Sequence, residues 1–360
     1  MATKSFTKII LLCLNLNYTK SVLTVPKLLN MQRFLEFCEF CTDAQSKIIS
    51  NLENVERDLS TGSNTKFVLD PWSRGRPESS VEGEGITSVL QRGNVFEKAA
   101  VSTTFTSGIL SLERAKAISG RKMDPNNQSN NLVGTKYYAA ALSLVLHSKS
   151  PKVPTFRSDI RYFELDDGTG WFGGGADLTP YLLFESDAKS FHNSLKKTCD
   201  KYSKTLYPQM KKNCDNYFYI PSRGEHRGIG GVFFDDLECI DELSNSNTIN
   251  SKSSELDLVK KFTYDICNTF MPSYLPIVYE RHNLPYTEDE RHWQLLRRGR
   301  YIEFNMLYDR GVKFGLVPGG RIEAVMVSCP PLVAWDYNYI PKEGKESELM
   351  KILKTPIDWV

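Results

Sequence analysis

Four short runs rich in β-branched and aromatic residues are each bounded by glycine, proline or charge: Thr155–Glu164, Gly230–Phe234, Tyr301–Tyr308 and Ala324–Ser328. That pattern marks strands. Loops and helices separate these runs without a regular βαβ rhythm, which argues against a doubly wound parallel sheet. Apolar residues recur at helical spacing from Leu29 to about Asp58 (Leu35, Cys38, Phe40, Ile48, Ile49, Leu52), and helical patterns cover 186–216 and 257–271. The reading is an α+β protein with a largely antiparallel sheet around one core. Three polar stretches, 59–66, 120–131 and 241–256, are expected as surface loops or insertions, because strongly patterned sequence resumes on both sides of each.

Charge narrows the function. The 360 residues carry a formal charge of only +2, which argues against nucleic acid held by bulk charge. Eight cysteines at irregular spacing do not form a disulfide framework in a chain this long. Cys38 and Cys41 make a lone CxxC within the first helical pattern; with no second Cys/His pair at zinc spacing, they are expected as core thiols. Residues 1–30 contain Lys4, Lys8, Lys20 and Lys27 but no acidic residue, and the run Ile9–Leu14 is too short to span a bilayer. The segment fits a mitochondrial-type targeting sequence, with a shortened secretory signal or a start at Met31 as competing readings. Residues 31–360 are expected to form a single domain, without a transmembrane segment, in the mitochondrion or the cytoplasm.

The most informative stretch is Arg297–Gly311, RRGRYIEFNMLYDRG. Read as a strand, it puts Ile302, Phe304, Met306 and Tyr308 on one face and Glu303, Asn305 and Asp309 on the other. In Thr155–Glu164 the same periodicity places Arg157, Asp159 and Arg161 together. Arg223–Gly228 and Gly319–Arg321 add further arginines just before apolar runs. Arginine grips planar carboxylates through paired donors and a charge that does not titrate away, so the set points to a polyanionic ligand; each arginine taken alone is better read as a surface ion-pair partner. Gly173-Gly174-Gly175 matches neither phosphate-loop pattern and is expected as a tight turn or a close backbone approach.

From about Asp70 onward the chain resembles the oxygen-dependent coproporphyrinogen oxidases. The matching blocks are VFEKAAVS (95–102), SLVLHSKSPKVPT (143–155), RYFE (161–164), WFGGGADLTPY (171–181), RGIGGVFFDDL (227–237), YLPIVYER (274–281), WQLLRRGRYIEFN (293–305), YDRGVKFGL (308–316) and PPLVAWDY (330–337). The resemblance implies a large, mostly antiparallel sheet flanked by α-helices on both faces, in a homodimer. It implies that two propionates of coproporphyrinogen III become vinyl groups, giving protoporphyrinogen IX for haem synthesis, with molecular oxygen as electron acceptor and no organic cofactor; no metal is expected either, because the sequence offers no complete ligand set. It places Ser143, Arg161, Gly319, Gly320 and Arg321 at the substrate and gives active-site roles to Asp177, Arg227, Asp309 and Arg310.

One departure stands out. Family members are expected to read P-T-x-H-x-N-x-R, with the histidine as proton donor, where this chain has Arg157 and Asp159. An arginine cannot shuttle a proton as imidazole does, so Arg157 and Asp159 are expected as a substrate clamp or an ion pair. The alternative is a catalytically silent homologue that binds porphyrinogens or pairs with an active subunit. Two further histidines of the family, His147 and His192, remain; without a carboxylate at ligand spacing they are expected as core or surface imidazoles.

Overall fold

The structure, a computed structural model, describes residues 25–60, 64–74, 81–112, 115, 132–240, 252–316, 321–341 and 343–360. Its centre is a seven-stranded sheet in the order β1-β2-β3-β4-β5-β6-β9, with every neighbouring pair antiparallel. The strands are β1 (Val68–Arg74), β2 (Val81–Gln91), β3 (Phe96–Ile109), β4 (Lys136–Ser148), β5 (Thr155–Leu165), β6 (Gly170–Thr179) and β9 (Gly231–Leu237). A two-stranded hairpin, β7 (Tyr219–Ile220) and β8 (Glu225–His226), stands apart from it. Eight described helices accompany the strands: α1 (Val25–Leu59), α2 (Glu185–Cys199), α3 (Leu206–Tyr217), α4 (Lys252–Arg281), α5 (Glu288–Leu307), α6 (Arg310–Gly315), α7 (Ile322–Met326) and α8 (Gly344–Lys354).

Strand alternation decides which helices lie on which face. On β5, Phe156, Ile160 and Tyr162 point to one side, where α1, α2 and α4 supply aromatic partners. Phe37 packs on Tyr162 and Phe172, and Phe156 meets Phe191, Phe270 and Tyr274 at centroid distances of 4.9 to 6.1 Å. These rings are fully or almost fully buried, each worth roughly 1.5–3 kcal/mol of apolar burial. The opposite face carries Arg157, Asp159 and Arg161 and is covered in part by α5, whose Tyr301 packs on Ala100 of β3 and Val145 of β4. The α+β architecture with helices on both faces is therefore present.

Several elements differ from the sequence reading. Tyr301–Tyr308 is not a strand but the end of α5, and the run Ala324–Ser328 begins within helix α7 and ends in a turn. Helix α5 opens on a capping box: Thr287 Oγ1 accepts from the Glu290 amide (3.2 Å) while the Glu290 carboxylate accepts from the Thr287 amide (3.0 Å). The apolar alternation at 302–308 is accidental to a helix already nucleated there; Phe304 is buried while Met306 is exposed. The run at 324 has high β-propensity but pairs with neither edge of the sheet, β1 or β9, and its first residues are helical instead. The three glycines lie inside β6, so close approach, not a turn, is their role. Residues 252–256, expected in a loop, form the first turns of α4; segment 120–131 and residues 1–24, 61–63 and 241–251 lie outside the described residues. Cys38 and Cys41 are buried, unbridged thiols of α1.

Glu56 ties α1 to the sheet. It is fully buried, and its two oxygens accept the amide protons of Asn94, Val95 and Phe96 at 2.7 to 3.0 Å in the turn joining β2 to β3. A Cβ on Gly93 would lie 2.4 Å from Glu56 Oε1, so glycine there makes room for the carboxylate. Replacing Glu56 by Ala strands the buried amides of Val95 and Phe96 and is expected to cost about 1–3 kcal/mol, measured as a fall in the urea midpoint at unchanged m-value.

A pH dependence follows from His192 of α2. Burial pushes its imidazole down to about 3, with Lys211 adding to the effect. The unfolded chain takes up this proton near pH 6.5 and the folded chain does not, so stability is lost as pH falls from 6.5 towards 3, at about 1.4 kcal/mol per pH unit for one group. Denaturation midpoints of His192→Phe should show a shallower acid limb than the parent; an identical slope would remove His192 as the cause.

Candidate active site

The polar face of β5 organises the site because its three charged side chains are bound to one another. Arg157 Nη1 donates to Asp159 Oδ1 at 3.1 Å, and Arg161 donates to the other oxygen of Asp159. Arg161 also reaches Asp235 of β9 at 3.4 Å, and Asp235 lies 3.7 Å from Arg310. A Cβ on Gly173 of β6 would stand 2.7 Å from Arg161 Nε, so glycine lets that guanidinium lie against the neighbouring strand. Burial opposes the charge of Arg157, but Asp159 and Asp309 outweigh it and raise its pKa above the ordinary arginine value. Arg161 behaves alike, with Asp159 and then Asp235 overcoming burial.

Asp309 enters from the other side, at the junction of α5 and α6. It is buried, and it is the N-cap of α6: Oδ1 accepts from the Val312 amide at 3.0 Å. Oδ2 faces Arg157 Nη2 at 4.0 Å. The next residue, Arg310, is half exposed and stacks over Tyr217 at 5.0 Å.

Register extends the site across the sheet. Asp159 is opposite Ser143, Ser143 opposite Ser102, Ser102 opposite Thr87 and Thr87 opposite Asp70, so one row joins β5 to β1. Ser143 is exposed within it. Four strand spacings separate Asp159 from Asp70, roughly 19 Å. At the far end Arg321 donates to Asp70 at 2.6 Å and lies over the Trp72 ring at 5.4 Å. Gly319 and Gly320 lie outside the described residues.

Asp177 and Arg227, expected in catalytic roles, form a buried pair on the same sheet face, covered by α5. Arg227 binds both oxygens of Asp177 (2.7 and 2.8 Å) and Asn305 (3.1 Å), and its guanidinium lies 3.9, 4.7 and 4.9 Å from the rings of Phe218, Tyr301 and Phe304. Asp177 is the register partner of Arg157. The arginines of α5 hold that helix in place: Arg297 binds Glu225, and Arg298 binds Glu97 and the Ser148 carbonyl. His147 and His192 are core imidazoles, the first hydrogen-bonded to Thr155 and the Ser328 carbonyl, the second to Tyr207.

Sequence reasoning set Asn305 on the polar face with Asp309, through a strand reading, but missed Asp235, Tyr301, Asp70 and Trp72 as parts of this network. Asp235 could have been found by carrying the alternation of β9 two residues past Phe233; the others meet the site only through long-range packing. Asp177→Asn is expected to cost about 3–5 kcal/mol by leaving Arg227 buried without its counter-charge, read as a large drop in melting temperature before any kinetic assay.

With this geometry in hand, comparison with known proteins is specific. A family model described as coproporphyrinogen III oxidase matches residues 36–359. An oxygen-dependent coproporphyrinogen-III oxidase of Drosophila melanogaster is 43% identical over 301 residues, 82% of this chain and 71% of the relative. A chloroplastic one from Glycine max is 40% identical over 333 residues, 90% of this chain and 79% of the relative. One from Francisella tularensis subsp. holarctica is 38% identical over 336 residues, covering 91% and 99%. Matched over nearly its whole length, the chain belongs to the coproporphyrinogen III oxidase family.

Proposed function

We propose that this protein is an oxygen-dependent coproporphyrinogen oxidase that converts two propionates of coproporphyrinogen III to vinyl groups in haem synthesis. The observation that carries the reading is the placement of Asp309 beside a sheet face bearing Arg157 and Arg161, with Arg321 at its far end. A flat surface with cations at both ends suits a macrocycle with carboxylates on its rim. In this reading Arg161, Arg310, Arg321 and Ser143 take propionates, and the Asp309 carboxylate accepts from the inward pyrrole N–H groups. Asp177 and Arg227 hold α5 against the same face beside Arg157. Each side chain loses carbon dioxide, one proton and two electrons; oxygen takes the two electrons and two protons to give hydrogen peroxide. The net uptake is one proton per propionate, and oxygen is the only co-substrate required.

The same reading makes residues 31–360 one catalytic domain, preceded by a targeting segment at 1–30, in a homodimer in the mitochondrion or the cytoplasm. Exposed Leu307, Ile322 and Leu332 offer apolar surface to a second copy. Among the described residues no helix is long and apolar enough to cross a membrane.

The deciding experiment supplies coproporphyrinogen III in air and under nitrogen and follows vinyl formation, carbon dioxide and peroxide. Turnover in air alone is expected; a folded protein that binds the porphyrinogen but never turns it over defeats the proposal. Asp309→Asn keeps an N-cap for α6 and removes the charge, so melting should stay near that of the parent while turnover falls roughly 10²- to 10³-fold. Loss of folding in that variant would instead make Asp309 a structural residue.

A further inference from the structure

Resting on the oxidase reading, we propose that Arg157 is a positioning residue for Asp309: pinned by Asp159, its guanidinium fixes the free carboxylate oxygen of Asp309 while the arginines of β5 supply no proton. The two oxygens of Asp309 are already divided in their work, since Oδ1 caps α6 and only Oδ2 faces the site. At 4.0 Å the Arg157–Asp309 contact is too long for a direct hydrogen bond. It orients Oδ2 by charge and leaves its lone pairs open to a substrate N–H.

The exposure of the three nearby arginines follows the same division. Side-chain exposure is 24% for Arg157, 31% for Arg161 and 49% for Arg310. The guanidinium most open to a propionate is that of Arg310; Arg157 is the most enclosed and is shared between two buried aspartates. To swing onto a ligand it would leave both.

The charged and titratable groups that act on Arg157 are Asp159 and Arg161 on β5, Asp177 on β6, Asp309 before α6 and Tyr301 on α5. None is an imidazole, and arginine stays protonated throughout the working range. The proton consumed per propionate is therefore not supplied by Arg157 or Arg161.

The test measures kcat, KM and pH profiles of Arg157→Gln, Arg157→Lys and Arg157→His, and repeats Arg157→Gln in the Asp309→Asn background. Circular dichroism checks folding, and anaerobic Kd for coproporphyrinogen III is recorded for every variant. Arg157→Gln should lower kcat by roughly 10-fold or more with KM changed less than about 2-fold, and Arg157→Lys should recover most of the loss. In the Asp309→Asn background the same change should cost nothing further, in turnover or in Kd. Arg157→His should gain a limb near about pH 6.5 that the parent lacks, with activity rising on the acid side, where imidazolium carries the charge. A pure KM effect, additive losses in the double variant, or an Arg157→His enzyme faster than the parent at neutral pH would overturn the proposal. A parent that binds but does not turn over refutes the oxidase reading alone, because the Kd cycle still reports the coupling.

Discussion

The contact on which the site depends is the sharing of Asp159 between Arg157 and Arg161. Three charged side chains at alternate positions of one strand would repel or solvate independently on an open surface. Here a single carboxylate binds both guanidiniums, and the residues between them, Ser158 and Ile160, are locked into the packed face. The backbone of β5 cannot slide without exchanging a ring for a charge on the side buried against α1 and α4. The position of the cations is thus set by the aromatic core behind them, and Asp309, Asp235 and Gly173 are fitted to that position from three other elements.

In the proposed reading, ligand binding at this site is an exchange of partners. Arg157, Arg161, Arg227, Arg310 and Arg321 are matched by Asp70, Asp159, Asp177, Asp235 and Asp309, five charges against five, so this set of charges is balanced within the protein. An incoming carboxylate gains a guanidinium only as that guanidinium loosens from an aspartate. Such exchange favours discrimination by geometry over sheer affinity, since an anion of the wrong shape frees aspartates without satisfying the arginines.

Much of this was readable in the sequence where local pattern and tertiary role agree. The β5 alternation put Arg157, Asp159 and Arg161 on one face, and that is where they stand. The Tyr301–Tyr308 segment failed because alternating apolar residues fit a strand over eight positions, while the decisive signal, the Thr287–Glu290 capping box, lay outside the window. Strands β1 to β4 were not singled out: β2 reads VEGEGITSVLQ, with glycines and acids interrupting any run, and it is a strand because β1 and β3 flank it. Asp70 and Asp235 joined the site through contacts 251 and 74 residues distant in sequence, which no local pattern encodes.

The register row from Asp70 to Asp159 has an evolutionary consequence. Strand parity makes the face of each residue an odd-or-even property, so a one-residue insertion within β2 to β5 would turn serine and threonine of the row inward and present leucine, phenylalanine or valine to the ligand. Length change in this fold is therefore free only outside the strands. Inside the sheet, descent can alter residues but hardly count: Arg157 and Asp159 hold two positions of equal parity, so a change at either leaves the ruler intact.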